Sequence, residues 1–366
     1  MTPTRLDVWP PLPPQVYMRR PPARLPFPLD QPACRLFERA RHGLWQGMHA
    51  LSLGPDAEIL VPAYHHGSEI EALVRAGLIC RFYEGTETLE PDADELDALL
   101  TPRVRALYLI HYLGFPQDAP RWRTWCDERG LLLIEDAAQA WLASLDGRPV
   151  GSFGDLSIFC LYKTFGLPDG SALLSHSPPS EPASPRRSGV RRLGIHHVEW
   201  LMARSGWLAG IGTRFQHRAS SAPPSVPGEG FMLGDPDSPP SSATLLLLPR
   251  VTDTQAAACR RANYQVLLDH LADYVPPPFA HLPQGASPFA FPLATDRKAE
   301  LRERLAADGI IALNFWSVAH PLLPTARFPR VAWRRAHVVG LPVHQELRAE
   351  DIERMAKVVK ALLAGH

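Results

Sequence analysis

Lysine is scarce in this chain. Lysine and arginine together make 38 of 366 residues, but the only lysines are Lys163, Lys298, Lys357 and Lys360. Where a positive charge alone is needed, arginine supplies it. Net charge is missing too: 38 basic residues meet 38 acidic ones. That balance argues against nucleic acid as the main partner. Cysteine is sparse. Cys34, Cys80, Cys126, Cys160 and Cys259 are scattered, with no metal or disulfide spacing, which suits a reducing cytoplasm. No apolar run is long enough to span a membrane, so a membrane partner is not expected. The proline-rich start, Pro10 to Pro32, lacks the apolar core of a signal peptide. It reads as an extended arm that packs on the chain or on a partner. No G-x-G-x-x-G follows the first strand, which weighs against a nicotinamide cofactor.

What is present alternates. A helix is predicted over 33–53, then a strand at Ile59 to Ala63 and a helix at Ser68 to Ala76. Strands at Leu78 to Tyr83 and Ala106 to His111 flank a helix at Asp92 to Leu100. A helix at Arg121 to Arg129 leads to a strand ending at Asp136. Ser157 to Leu161 and Ala172 to Ser175 add two strands. Such alternation implies an α/β domain, a mostly parallel sheet with helices on its faces. Residues 177–187 and 219–242 read as loops, with a short helix at Val198 to Ala209 between them. A long helix at Asp253 to Leu271, strands at Phe289 to Leu293 and Ile310 to Phe315, and a helix at Arg348 to Leu363 suggest a smaller α+β domain. The division expected is an arm at 1–32, a large domain at 33–245 and a small domain at 246–366.

Two residues carry the chemistry. Lys163 follows the apolar run Leu156-Ser157-Ile158-Phe159-Cys160-Leu161-Tyr162. Among so many arginines, a lysine in apolar surroundings reads as an amine that is needed. Arginine stays protonated, whereas lysine can form a Schiff base. The alternative is a snorkelling lysine at a strand end. Asp136 ends the buried strand Leu131-Leu132-Leu133-Ile134-Glu135-Asp136, where open α/β sheets place ligands. A helix N-cap is its structural alternative. A lysine and a carboxylate facing one crevice are what pyridoxal 5'-phosphate requires: the amine forms the Schiff base and the acid pairs with the pyridinium nitrogen.

The motifs around this pair resemble a known family. Ile134-Glu135-Asp136-Ala137-Ala138-Gln139-Ala140, then Gly147-Arg148-Pro149-Val150-Gly151-Ser152-Phe153-Gly154-Asp155, then Lys163 and Asp169-Gly170-Ser171-Ala172-Leu173, are similar to the core of the DegT/DnrJ/StrS sugar aminotransferases. Ile59-Leu60-Val61-Pro62-Ala63-Tyr64, His111-Tyr112-Leu113-Gly114 and Gly340-Leu341-Pro342-Val343-His344 extend the resemblance. It implies a fold-type I pyridoxal-phosphate enzyme, a twofold homodimer and transamination. By the same resemblance Lys163 holds the cofactor and moves the proton, Asp136 meets the ring nitrogen, and Gln139 approaches the ring. Cys160 falls where relatives carry a phosphate-binding serine.

Two segments depart from the family pattern. The S-G-T-x-A-L helix start that binds phosphate reads Ala40-Arg41-His42-Gly43-Leu44-Trp45, which makes Arg41 and His42 the candidates for that anion. The segment that stacks an aromatic on the ring reads Pro62-Ala63-Tyr64-His65-His66-Gly67-Ser68. His66 is in register for stacking, with His65 the competing choice, because strand-end alternation points the two side chains to opposite sides. No third ligand accompanies the two histidines, so no metal is expected. The partner-subunit loop of relatives has only Gly212-Thr213-Arg214 as a counterpart. The reading is amino transfer from an amino-acid donor, glutamate or glutamine, to a keto acceptor such as a nucleotide-linked keto sugar or another biosynthetic intermediate. Alternatives are a lyase, dehydratase or racemase on the same cofactor, or a non-catalytic ligand-binding homologue.

Overall fold

The computed structural model describes residues 5–54, 56–182 and 229–364, with a few further positions between 189 and 200. A short strand, β1 (Leu6–Asp7), opens it. The central sheet contains β2 (Cys34–Phe37), β3 (Glu58–Pro62), β4 (Ile79–Tyr83), β5 (Val104–Ile110) and β6 (Leu132–Asp136). After a small hairpin of β7 (Ser144–Leu145) and β8 (Arg148–Pro149), it is completed by β9 (Leu156–Cys160) and β10 (Ser171–Ser175). The seven strands lie in the order β2-β10-β9-β6-β5-β3-β4. Neighbours from β9 to β4 run parallel, and β10 runs against both β9 and β2.

The parallel strands are buried on both faces, so they read as continuous apolar runs and not as alternation. The pleat still sorts them. Ile59 and Val61 face a core that also holds Leu44 and Ile70, while Leu60, Leu107 and Leu133 face one built on Trp122 and Trp125. Helices α1 (Ala40–Leu51) and α2 (Ser68–Arg75) supply the first core. Helices α3 (Ala93–Ala98) and α4 (Ala119–Asp127) supply the second, each capped by an aspartate, Asp92 and Asp118. The expected α/β class and mostly parallel sheet are present.

Some boundaries move. The helix expected over 33–53 begins only at Ala40, because residues 34–37 ladder against Ser171–Leu174 as an edge strand. The turn α5 (Leu161–Thr164) carries Lys163. The expected helix at Val198 to Ala209 and the segment Gly212-Thr213-Arg214 lie outside the described residues. Helix α6 (Ser242–Val251) was not expected, and a domain boundary at 245 would cut it; it ends at Val251, before α7 (Gln255–Leu271). The C-terminal part pairs β11 (Ala290–Ala294) with β13 (Val338–Pro342), antiparallel. Around this pair lie α8 (Lys298–Ala307), α9 (Pro329–His337) and α10 (Ala349–Ala364). The strand expected through Phe315 is only β12 (Ile310–Ile311), and its partner is β1, in parallel. The proline-rich arm is therefore tied to the far end of the chain, with Leu12 and Val16 buried in a shared core.

Candidate active site

The carboxyl ends of β5, β6 and β9 open on a cleft of about 480 Å³. Lys163, Asp136, Gln139, Cys160, Arg41 and His66 all line it. Residues scattered over more than a hundred positions meet here because parallel strands deliver their carboxyl ends to one edge.

Asp136 is buried, and both its oxygens are engaged. Oδ1 accepts from the Ala138 N–H at 2.9 Å, and Oδ2 accepts from the Tyr108 hydroxyl at 2.8 Å. Burial raises its pKa to about 6; nearby Glu69 adds to the rise, and the two hydrogen bonds and Lys163 only partly offset it. A buried carboxylate so placed suits a cationic ring nitrogen. Lys163 feels opposing effects. Burial pushes its amine down, but Cys160, Tyr162, Asp136 and Glu69 push it up by more, leaving it above the ordinary lysine value. Cys160 and Tyr162 are themselves raised by burial and stay neutral near pH 7, so the carboxylates do that holding there. The next turn is anchored from the C-terminal part: Arg260 and Gln345 both donate to the Thr164 carbonyl, at 2.7 and 3.0 Å.

The neighbouring Glu135 points to a different task. It accepts from His111 Nε2 at 3.0 Å and from the N–H groups of Gly151, Phe153 and Gly154 at 3.0, 2.7 and 2.5 Å. His111 Nδ1 accepts from the Gln117 N–H, which fixes the proton on Nε2. Burial alone would raise Glu135, but these donors outweigh it and its pKa falls. His111 thus serves the loop after the hairpin and does not line the cleft. Gln139 lies in the cleft, and its Oε1 accepts from the Leu113 N–H at 2.8 Å, which leaves its amide N–H groups for a ligand. Leu113 has φ 53° and Gly114 φ 85°; a side chain at Gly114 would strike the Ser287 carbonyl.

The opposite wall is made by the starts of α1 and α2. Arg41 lines the cleft, its Nε donating to the Leu233 carbonyl at 2.9 Å. Arg39 lies beside it, its guanidinium 5.1 Å from the Tyr162 ring centroid. His42 does not fill the phosphate-binding place expected of it. It is buried, with Nε2 2.8 Å from the Leu233 carbonyl, and it is not among the lining residues. The helix rotation that turns Arg41 to the cleft turns His42 away. The paired histidines also separate. His66 faces the cleft, with Nδ1 2.9 Å from the Ser68 hydroxyl and its ring edge-on to Phe231 at 5.8 Å. It is open to the cleft yet deep in the molecule; the surrounding protein, with Lys163, Arg41 and Arg335, lowers it to about 4. His65 is fully buried, bonds the Pro62 carbonyl through Nδ1 and stacks on Phe82. Burial and Arg335 lower it to about 3.

Several lining residues escaped the sequence reading. Glu69 is buried and accepts from the His66 and Gly67 N–H groups at 2.8 and 3.0 Å. Its signal was an acidic residue in the first turn of α2, which reads as a helix cap. Trp9, Tyr162, Phe231, Asn314 and Trp316 give no local signal, since tertiary folding alone assembles them. Among the described residues no cluster of His, Cys, Asp or Glu could hold a metal, and no helix is long and apolar enough to cross a membrane. Lys298 lies outside the cleft. It is buried, donates to the Arg335 carbonyl at 2.7 Å and is lowered to about 8, so Lys163 is not the only enclosed lysine.

The donor set fits pyridoxal phosphate: an amine on a rigid turn, a buried acid across from it, and two arginines at a helix start. Comparison with known proteins agrees. Residues 37–181 match the DegT/DnrJ/EryC1/StrS aminotransferase family. The chain is 31% identical over 133 residues to a GDP-perosamine synthase of Vibrio cholerae, an alignment covering 36% of each chain. It is 25% identical over 343 residues to a UDP-N-acetyl-3-dehydro-alpha-D-glucosamine 3-aminotransferase of Acidithiobacillus ferrooxidans, covering 88% of this chain and 82% of the relative. The fold is similar to that of the sugar aminotransferase CalS13 from Micromonospora echinospora, with TM-score 0.65 and 19% identity over 99% of this chain and 100% of that one. The cleft's chemistry and these matches lead to one assignment: residues 37–181, which carry Lys163 and Asp136, match the DegT/DnrJ/EryC1/StrS aminotransferase family, whose cofactor is pyridoxal phosphate.

Proposed function

We propose that the protein moves an amino group from glutamate or glutamine to the carbonyl of a nucleotide-linked keto sugar. The relatives named above act on GDP- and UDP-linked sugars by their names, and the cleft has room and aromatic walls for a ring. The observation that carries the reading is the meeting of Lys163 and Asp136 in one cleft at the strand ends.

Pyridoxal phosphate, when bound, supplies an electron sink for the bond broken at the donor's Cα. Lys163 Nζ holds the cofactor between turnovers, then takes the proton from the donor Cα and returns one to the acceptor carbon. Asp136 keeps the ring nitrogen protonated. Its raised pKa falls once a cation lies against it, because opposite charges favour the ionised forms. Tyr108 is a positioning residue: its hydroxyl fixes the carboxylate plane and limits how strongly Asp136 draws the ring proton. Arg41 and Arg39, with the α1 start, would hold the phosphate, and His66, kept neutral, would cover the ring. Gln139 would offer its amide N–H to the cofactor ring. Cys160, neutral and 4.0 Å from the Tyr162 hydroxyl, packs beside the lysine turn and is a weak donor at best. We propose also a twofold homodimer acting in the cytoplasm.

The test follows nitrogen. Glutamate labelled with 15N, pyridoxal phosphate and a GDP- or dTDP-linked 4-keto-6-deoxy sugar are incubated with the protein. Labelled amino sugar is the expected product. Loss of a hydroxyl without nitrogen transfer would replace this reading with a dehydratase, and absence of cofactor absorbance would refute it.

A further inference from the structure

Trp9 is placed oddly for its size. Its neighbours Val8 and Pro10 are buried, yet its own side chain leaves the residue 41% exposed. Trp9 lines the cleft. The indole lies 6.3 Å from the Tyr162 ring, nearly parallel, and 5.5 Å from Phe289, edge-on. A large aromatic held rigidly on both sides and left uncovered at a cleft mouth is a surface awaiting a ligand.

Its position follows from the backbone. β1 and β12 pair in parallel, Leu6 with Ile310 and Asp7 with Ile311. Parallel strands leave a ladder at the same end, so the two chains emerge side by side, one as Trp9 and the other as Leu313 and Asn314. All three line the cleft. The Leu313 N–H and carbonyl both pair with Gly340, at 2.8 and 3.0 Å, which fixes this second chain. The arm then crosses the segment after Lys163 so closely that a side chain at Gly166 would lie 2.6 Å from Pro11. Asn314 adds a polar signal. Its side-chain oxygen is buried and has no hydrogen-bond partner among the described residues. A buried amide left unpaired costs free energy that a bound ligand can restore.

A flat apolar face and an unspent amide lining one cleft are the chemistry of sugar recognition: the C–H face of a pyranose would cover the indole, and a ring hydroxyl would donate to the amide oxygen. We propose that Trp9 and Asn314 form the subsite for the acceptor's sugar ring, a proposal that rests on the nucleotide-sugar reading above. The arm thereby selects the acceptor.

Binding separates the possibilities. Calorimetry on the holoenzyme uses UDP-N-acetylglucosamine, GDP-mannose and dTDP-glucose as unreactive probes, with UDP, GDP and dTDP as controls. Trp9→Ala should weaken at least one sugar nucleotide roughly fivefold to tenfold. It should leave the matching free nucleotide within about twofold, which is less than half a kcal/mol. Trp9→Phe should fall between, and Asn314→Ala should weaken the same sugar. Tm and cofactor retention establish that each variant is folded. Unchanged sugar affinity in folded Trp9→Ala, or equal losses for sugar and free nucleotide, overturns the subsite. A wild-type protein that binds none of the sugars overturns it as well. Uptake of nitrogen from 15N-glutamate by the wild-type protein tests the functional reading separately.

Discussion

The two walls of the cleft were built by different rules. The strand-end wall carries Asp136, Gln139 and Lys163 on β6, the turn after it and α5. Its residues follow the family's motifs in sequence and line one cleft. The helix-start wall carries Arg39, Arg41, His66 and Glu69, and at Arg41 and His66 the chain departs from the family pattern. The difference teaches where chemistry is constrained. An amine and a ring-nitrogen partner have few substitutes. A phosphate can be held by any cations or N–H groups that converge on it, so that wall is free to change.

The comparison breaks most sharply at Lys163. Lys163→Ala should lower amino transfer on the order of ten-thousandfold. Borohydride treatment of the wild-type protein should fix the cofactor on the peptide containing Lys163. An adduct on Lys298, the other enclosed lysine, would move the catalytic centre off the strand-end wall. Asp136→Asn should retain the fold and the cofactor but slow proton removal from the donor Cα roughly a hundredfold to a thousandfold. Full activity in that variant would remove Asp136 from the chemistry.

The helix-start wall should respond in affinity more than in rate. Arg41→Ala should weaken pyridoxal phosphate binding roughly tenfold, with little further change in turnover once the cofactor is saturating. Equal retention in Arg41→Ala and wild type would leave the phosphate to Arg39 or to backbone alone. Tyr108→Phe probes the strand-end wall more gently. Freed of one hydrogen bond, Asp136 should become more basic, and the pH profile of turnover should shift with a rate change of about threefold to tenfold. An unmoved profile would make Tyr108 a packing residue.

Acid should separate the walls by stability. His65, behind the helix-start wall, is lowered to about 3 from its ordinary 6.5. Below that ordinary value the unfolded chain gains a proton the folded chain refuses, so stability falls as pH drops from 6.5 towards 3. Between pH 6.5 and about pH 4 the loss is roughly 3 kcal/mol. Glu135, behind the strand-end wall, is lowered from 4.5, so its contribution is lost only below that pH. His65→Phe should flatten the dependence of the urea midpoint on pH in the upper window. A slope identical to wild type would assign the acid lability elsewhere, for instance to His344, lowered to about 3 by burial and Arg260.

What was legible in the sequence follows the same division. Buried parallel strands declare themselves as apolar runs, and their ends name Asp136 and Lys163. The alternation of His65 and His66 was likewise readable, because adjacent residues leaving a strand point to opposite sides. His42 was misjudged because register within a helix decides which of two adjacent residues faces the cleft, and composition does not reveal the rotation. Residues 34–37 looked helical because an edge strand this short has no period to read; β10 alone makes it a strand. Trp9 and Asn314 were invisible for a simpler reason: nothing within ten residues of either hints that they will meet.

The pairing of β1 with β12 also sets an order in time. Residues 6–7 leave the ribosome early and their partners at 310–311 leave near the end. Through most of synthesis the first strand is an unpaired edge, and the proline-rich stretch after it is a poor template for β-aggregation. The seven-stranded sheet, complete by Ser175, can form meanwhile. Closing a loop of this length is a late event on topological grounds. The strand ends that carry Asp136 and Lys163 are therefore assembled first, and the wall holding Trp9 is put in place last.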